Sequence, residues 1–242
     1  MVFYLGIMKV ISWNCHQSFR TKAERVLALK PDLLVLPECE EPSKLSAKGV
    51  HFHDAYWVGE NKHKGLGILT FNGWNVEALE EVSPRIPYVI PVRIQKEDFS
   101  FILWAVWSQK PMSHSNYGVR MWKALSSYSA HLSEDRIIIA GDFNSSSIWD
   151  RNGRESNHSN IVSELELNGI KSLYHEYWKE QQGSETIPTL LFTYNVEKPF
   201  HIDYCFASNW FVQRLTSMTV GEANDWLELS DHMPLEVDFQ LD

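Results

Sequence analysis

The sequence predicts a mixed-sheet α/β protein in which two β-sheets pack against each other. Three observations carry that expectation. Residues 10–36 read as strand, helix, strand, and the second strand is apolar on both faces, as a strand buried between layers is. The remainder of the 242 residues turns β-rich, with many connections short enough for hairpins. No Ser- or Pro-rich linker and no low-complexity segment interrupts the chain, so residues 1–242 read as one domain.

The elements follow from periodicity and punctuation. Residues 10–13 form a short β run that ends at Asn14. Residues 21–30 have an apolar side made by Ala23, Val26, Leu27 and Leu29, which is helical spacing, and Pro31-Asp32 stops it. Residues 33–36 are a continuous apolar strand that ends in Pro37-Glu38. Strands are expected at 55–58, 67–71, 88–94 and 100–106. Residues 117–132 carry Val119, Trp122, Leu125 and Tyr128 at helical spacing. A buried strand at 136–140 runs into Gly141-Asp142-Phe143-Asn144. A second helix spans 159–168 and is stopped by Gly169, which tolerates the left-handed conformation that closes a helix. Strands resume at 190–194, 201–207, 211–220 and 235–239. The most polar stretch, 145–160, reads as a long loop at the rim of a site.

Composition narrows the function classes. A net charge of −9 argues against a sequence-independent grip on nucleic acid through a basic surface, although a bound divalent cation can offset carboxylates locally. No apolar run reaches bilayer-spanning length, so no membrane span is expected. Residues 1–7 lack a basic lead-in and a cleavage site, and read as an edge segment or as an extension ahead of Met8. Three cysteines (Cys15, Cys39 and Cys205) are too few for a disulfide framework, which favours a cytoplasmic protein. No obligate protein partner is inferred.

Chemistry-bearing residues gather at strand ends, where a rigid scaffold can bring distant positions together. They are Trp13-Asn14, Pro37-Glu38, Gly141-Asp142-Phe143-Asn144 and Ser230-Asp231-His232, joined by His201-Ile202-Asp203-Tyr204. Their four carboxylates and two amides, with the imidazole of His232, suit a hard cation and a phosphate; no Cys/His cluster has zinc spacing. An acid within an apolar strand, as at Asp203, is costly to bury unless paired, and His232 offers the pair. The bland alternatives are a solvated acid at Glu38, an Asx-type turn at Asp142 to Asn144, and a loop cap at Asn14.

In that order these motifs resemble the endonuclease/exonuclease/phosphatase superfamily, whose fold is that of deoxyribonuclease I, and the resemblance runs from residue 9 to residue 239. It implies a four-layered α/β sandwich with two facing mixed sheets and Mg²⁺-dependent cleavage of a phosphoester, with Mn²⁺ as a possible substitute. By position, it implies that Glu38 is the principal metal ligand, that Asn14 supports the metal or a phosphate oxygen, and that Asp231 is a further acid of the metal site. It casts Asp142 as the residue that orients or deprotonates water, Asn144 as a neighbour of the scissile phosphate, and Asp203 as the acid behind the catalytic His232. One departure stands out: Trp107 occupies the end of the central strand, where many members carry a histidine. Tyr117 is the candidate counterpart of a catalytic tyrosine in exonuclease III-type relatives, or else packs at a helix start.

The expected activity is a metal-dependent phosphoesterase, a nuclease acting on DNA or RNA, by water attack on a phosphodiester. The alternatives are a phosphatase or phosphodiesterase for a small organic phosphate or phospholipid head group, and an inactive binding protein of the same fold. Substrate choice is expected from rim loops around 108–117 and 145–158. Trp107 and Arg120 are candidate substrate contacts beside Asn14, Asn144 and His232; Lys64, Arg151 and Arg154 are further cations that could reach a phosphate. Trp149 is the other tryptophan at the site end. His16 and His201 lie close to motif residues, whereas His51, His53 and His63 read as surface residues. Cys15 and Cys39, each following a motif residue, are expected to be neighbours or simply buried thiols.

Overall fold

The structure, a computed structural model, describes residues 6–79, 86–109 and 116–242. The first half of the chain runs β1 (Ile7–Ser12), α1 (Ala23–Leu27), β2 (Leu33–Cys39), α2 (Pro42–Ser46), β3 (Asp54–Asn61), β4 (Lys64–Thr70), β5 (Asn75–Ala78), β6 (Val89–Lys96), β7 (Phe99–Trp107) and α3 (Gly118–Ser127). The second half runs β8 (Ile137–Asp142), α4 (His158–Leu167), β9 (Ile170–Ser172), α5 (Leu173–Trp178), β10 (Leu190–Leu191), β11 (Pro199–Phe200), β12 (Asp203–Ser208), α6 (Asn209–Val212), β13 (Leu215–Val220), α7 (Ala223–Trp226) and β14 (Leu235–Gln240).

These strands build two six-stranded mixed sheets. One has the order β13-β14-β1-β2-β4-β3 and the other β5-β6-β7-β8-β12-β9. Within each, one central pair is parallel, β1 with β2 and β7 with β8. The other ladders are antiparallel; β3 with β4 and β6 with β7 are hairpins, whereas β1 with β14 and β8 with β12 join strands distant in sequence.

The continuous apolar strands are explained by a layer on each side. Leu33 and Val35 of β2 face Ile138 and Ala140 of β8 in the core between the sheets. Their neighbours Leu34 and Leu36 turn the other way, onto Val26 of α1 and Leu45 of α2. On the second sheet Ile137 and Ile139 lie under Met121 and Leu125 of α3 and Ile161 and Leu165 of α4. Alternation along a strand therefore splits each run between two cores, giving a sandwich of helix, sheet, sheet and helix.

Several boundaries differ from the periodicity. The helix expected at 21–30 is a 3₁₀ turn at Phe19–Thr21 followed by the short α1, because the chain adopts left-handed φ at Lys30 before Pro31. The strand expected at 190–194 stops after Leu191, since Thr193 and Tyr194 take left-handed φ in a 3₁₀ turn. Residues 211–212 of the expected strand 211–220 belong instead to the helical turn Asn209–Val212, and that turn swings Phe211 onto Phe101 and Phe239 in the core. Ile7 pairs with Gln240 inside β1, a central strand, so the end of the stretch read as an edge segment is part of a ladder. Residues 1–5 lie outside the described residues, as do 110–115 of the expected rim loop. No helix among the described residues is long and apolar enough to cross a membrane.

Candidate active site

At one end of the sandwich, strand termini of both sheets converge. Asn14 follows β1, and its Nδ2 donates to Asp142 Oδ2 at 3.0 Å across the gap between the sheets. Asp142 ends β8, in parallel register with Trp107 at the end of β7. The tight approach of these two strands depends on Gly141, at φ +146°, where a Cβ would sit 1.9 Å from the Val106 carbonyl oxygen. Asn144, at left-handed φ 49°, closes a turn in which both its backbone N–H and its Nδ2 donate to Asp142, at 2.8 and 2.6 Å. The Asx-type turn and the convergence of site residues are thus one object: the turn is the clamp that aims the carboxylate.

Asp203 opens β12 directly opposite Asp142 in the antiparallel ladder. Its Oδ2 lies 2.9 Å from His232 Nδ1. The other imidazole nitrogen, Nε2, faces Asn14 Nδ2 at 3.5 Å. His232 is fixed through its backbone as well: its N–H donates to Ser230 Oγ (3.0 Å) and its carbonyl accepts Trp13 Nε1 (2.9 Å). Ser230 Oγ also donates to the Asn14 carbonyl at 2.7 Å. Thr189 Oγ1 accepts the N–H groups of Ile202 and Asp203, both at 3.0 Å, while its carbonyl accepts Met233 N–H. Thr189 thereby joins the strand of Asp203 to the loop of His232. Nothing in the periodicity singled it out; Ser230 and Trp13 stood beside motif residues but carry their load through tertiary hydrogen bonds.

The electrostatics follow from burial. Asp142 is buried beside Asp203, and its carboxyl is raised to about 7, with His232, Asn14 and Asn144 pulling the other way. Burial alone would lower the His232 imidazole, but the charge and hydrogen bond of Asp203, helped by Asp142 and Asp231, outweigh it and raise it to about 10. The imidazole is therefore held as a cation. Asp142, Asp203 and His232 bring three potential ligand atoms within 4.8 Å of one another, and Asp203 Oδ1 is buried with no hydrogen-bond partner.

Glu38 reaches the same end from a bulge in β2, where the pairing with β4 slips between Pro37 and Cys39 and Glu38 adopts φ 64°. Its Oε2 lies 3.0 Å from Lys64 Nζ. Asp231 Oδ1 lies 3.1 Å from His16 Nδ1. Both acids act on Tyr194, whose hydroxyl is raised by burial and then by these two charges. Asn14 Oδ1 accepts the His16 N–H, so its amide is held at both ends.

A cavity of about 650 Å³ opens from Asn144 along the rim. Tyr117, Trp149, Arg151, Arg154 and Phe200 line it, with Trp149 packed 5.0 Å from Phe200. Its walls are tied: Asn116 Nδ2 donates to the Ser156 carbonyl and hydroxyl, and Asp150 accepts the N–H groups of His158 and Ser159 at the start of α4. Tyr117 is the exposed residue before α3, with its carbonyl bonded by Ser108 Oγ. Arg120, a candidate substrate contact, does not line this cavity; its guanidinium donates to the carbonyls of Gln109 and Pro87 and so braces the chain. Trp107 is buried against Tyr88 with Lys64 above its ring. His201 is buried against Tyr174 and Tyr204, and Nδ1 meets the Ile187 carbonyl. Cys15 and Cys39 are buried and free; Cys15 Sγ donates to the Pro37 carbonyl and Cys39 Sγ to the Glu40 carbonyl.

No family model and no curated protein matches the chain. Solved structures do. An AP endonuclease from Leishmania major superposes with a TM-score of 0.73 over 98% of this chain and 89% of that one, at 12% identity. The 3′ phosphatase NExo from Neisseria, bound to a product DNA hairpin, gives 0.71 over 96% and 99%, at 15% identity. An endonuclease/exonuclease/phosphatase from Beutenbergia cavernae gives 0.64 over 98% and 72%, at 15% identity. With two facing mixed sheets flanked by helices, the chain has the deoxyribonuclease I-like fold that these structures share.

Proposed function

We propose that the protein is a hydrolase of phosphodiesters, a nuclease that attacks the phosphorus with a water held by Asp142. The observation that carries this reading is the pairing of a clamped carboxylate with a buried Asp203–His232 couple at one strand end. A phosphodiester is an anion, and the charge that builds on its oxygens during attack needs a fixed cation and fixed donors. His232 supplies the cation: Asp203 holds Nδ1–H, orients the ring and leaves Nε2–H free to donate to a phosphate oxygen. Asn14 and Asn144 both spend an amide N–H on Asp142, so the carboxylate is aimed before substrate arrives. Asp142, held above the usual carboxylate range, is matched to accepting a proton from water near neutral pH.

The residues also suit a hard cation. Glu38 and Asp231 are oxygen donors whose charges both reach Tyr194, Asn14 accepts the N–H of the His16 that faces Asp231, and Asp203 Oδ1 is a further buried oxygen without a partner. Glu38, Asp231 and Asn14 would hold Mg²⁺, or Mn²⁺ in its place, and the bound ion would neutralise the phosphate and acidify water.

For the substrate, the cavity favours a polynucleotide. Exposed aromatic groups at Tyr117, Trp149 and Phe192 offer surfaces on which bases stack, and Arg151 and Arg154 offer charges for a backbone. The runner-up is a small organic phosphate, which the net charge of −9 and the absence of a basic stripe support. A panel of single-stranded DNA, abasic duplex, RNA, nucleotides, inositol phosphates and phospholipid, with Mg²⁺ and with chelator, separates the two. The expected outcome is Mg²⁺-dependent cleavage of a polynucleotide, reduced about 10²- to 10⁴-fold by Asp142→Asn, a range typical for loss of a general base. Turnover that survives both Asp142→Asn and His232→Ala would falsify this reading.

A further inference from the structure

Lys64 is the one ammonium that reaches both the Glu38 carboxylate and the strand end beside Asp142 among the described residues, and no step above uses it. Its placement is built by both sheets. The bulge at Glu38 turns that side chain toward the start of β4, where Cys39 is opposite Gly65 and Lys64 is the preceding residue. Gly65 permits the close approach: a Cβ there would stand 2.3 Å from the Val58 carbonyl oxygen and 2.5 Å from the Trp57 ring. From β4 of one sheet, Lys64 Nζ extends to 5.2 Å from the centroid of the Trp107 ring on β7 of the other. Trp107 is itself locked, buried against Tyr88 at 4.9 Å and in register with Asp142. The ammonium thus has two partners of different kind: a carboxylate 3.0 Å away, and an aromatic face that holds a cation without neutralising it.

We propose that Lys64 is a substrate-binding residue with a second duty as the resting counter-ion of Glu38. The inference rests on the phosphoesterase reading above. In the protein without metal, Lys64 balances Glu38, so a divalent cation arriving at that carboxylate must displace a like charge. The displaced ammonium stays on the Trp107 face, between Glu38 and the strand end of Asp142, where it meets a non-bridging oxygen of the phosphate. Trp107 is the platform that fixes Lys64, which gives a buried tryptophan at this strand end a role without any contact to the reacting atoms.

The test compares wild type with Lys64→Met, which keeps the stem length, and Lys64→Arg, which keeps the charge. Lys64 is partly exposed, so both variants are expected to melt with wild type. Calorimetric titration with Mn²⁺ alone is expected to show Lys64→Met binding the ion several-fold more tightly, since one competing charge is gone; up to about tenfold corresponds to 1.4 kcal/mol. At saturating Mn²⁺, KM for the cleaved polynucleotide is expected to rise about tenfold in Lys64→Met with kcat changed by less than about threefold, the pattern of lost uniform binding. Lys64→Arg is expected to restore KM to near wild type. Unchanged or weaker Mn²⁺ binding in Lys64→Met, or an unchanged KM, overturns the assignment while wild-type turnover leaves the phosphoesterase reading standing. A wild type with no metal-dependent turnover of any phosphoester removes that reading, and the substrate role of Lys64 with it, whereas the Mn²⁺ titration still decides the counter-ion role.

Discussion

Asp142 shows how much one residue depends on its neighbours' backbones. Its side chain is aimed by amides from Asn14 and Asn144, but its position is set by Gly141, which lets β8 pass within contact of Val106. Gly141→Ala would force a methyl into the Val106 carbonyl at a φ that L-residues avoid. We expect it to cost more than about 3 kcal/mol and to break the β7–β8 ladder, read as loss of the cooperative melt or of soluble protein. Asp203→Asn is a gentler probe. It keeps the shape but removes the charge that holds His232 as a cation, so kcat should fall about 10²- to 10⁴-fold while the fold remains intact by circular dichroism. Activity close to wild type in that variant would show that His232 does not act as a held imidazolium.

At the scale of elements, the rim loop between β8 and α4 is not a free loop. Asp150 caps α4, the Asn157 side-chain amide accepts the Arg151 N–H and donates to the Arg151 carbonyl, and Asn116 pins Ser156 from the start of α3. At its centre His158 is buried, with Nδ1 3.0 Å from Ser145 Oγ and its ring on Tyr204. Burial lowers its imidazole to about 4, against the attraction of Asp150 and Glu185. A histidine lowered in the fold binds its proton more readily when unfolded. Its contribution is therefore fully present above about pH 6.5 and is lost as pH falls from there to about 4. Over the same window the raised Asp142 works in the opposite sense, so the wild-type curve alone is ambiguous. The informative quantity is the difference between wild type and His158→Asn. Denaturation at pH 7 and at pH 4.5 should give the variant a smaller loss than wild type by roughly 2–3 kcal/mol; equal losses would mean that His158 is not held neutral.

For the whole molecule, the two sheets act as jaws that bring acids together. Asn14, Glu38 and Asp231 come from one side, Asp142 and Asp203 from the other, and no covalent link joins them. An ion bound by the folded state alone stabilises it by mass action, about 2.7 kcal/mol at one hundred times its Kd. For a chain of this size that corresponds to a rise of roughly 5–10 °C in Tm. Calorimetric scans with Mg²⁺ should show such a rise, absent with chelator and diminished in Glu38→Ala. A Tm that ignores Mg²⁺ would place the cation outside this site.

Sequence alone determined the class of fold and named the candidate residues of the site. Continuous apolar runs such as Leu33 to Leu36 and Ile137 to Ala140 require a partner layer on each face, whatever the topology, because alternating side chains must all leave water. The acids and amides at strand ends were legible for a related reason: polar residues immediately after an apolar strand mark where the chain leaves the core. Short elements were not legible. The helical turn at Asn209–Val212 and the left-handed turn at Thr193 and Tyr194 carry strand-like side chains, and only packing of Phe211 and the anchoring of Thr189 to the loop of His232 select their shape. Tertiary structure also decided which cations reach the candidate site. Arg120 and Lys64 are both cations that the sequence offers as substrate contacts, but Arg120 is spent on two carbonyls while Lys64 spans the gap between the sheets. A side chain's charge is written in the sequence. Its partner is a matter of distance across the fold, and local periodicity carries no information about that distance.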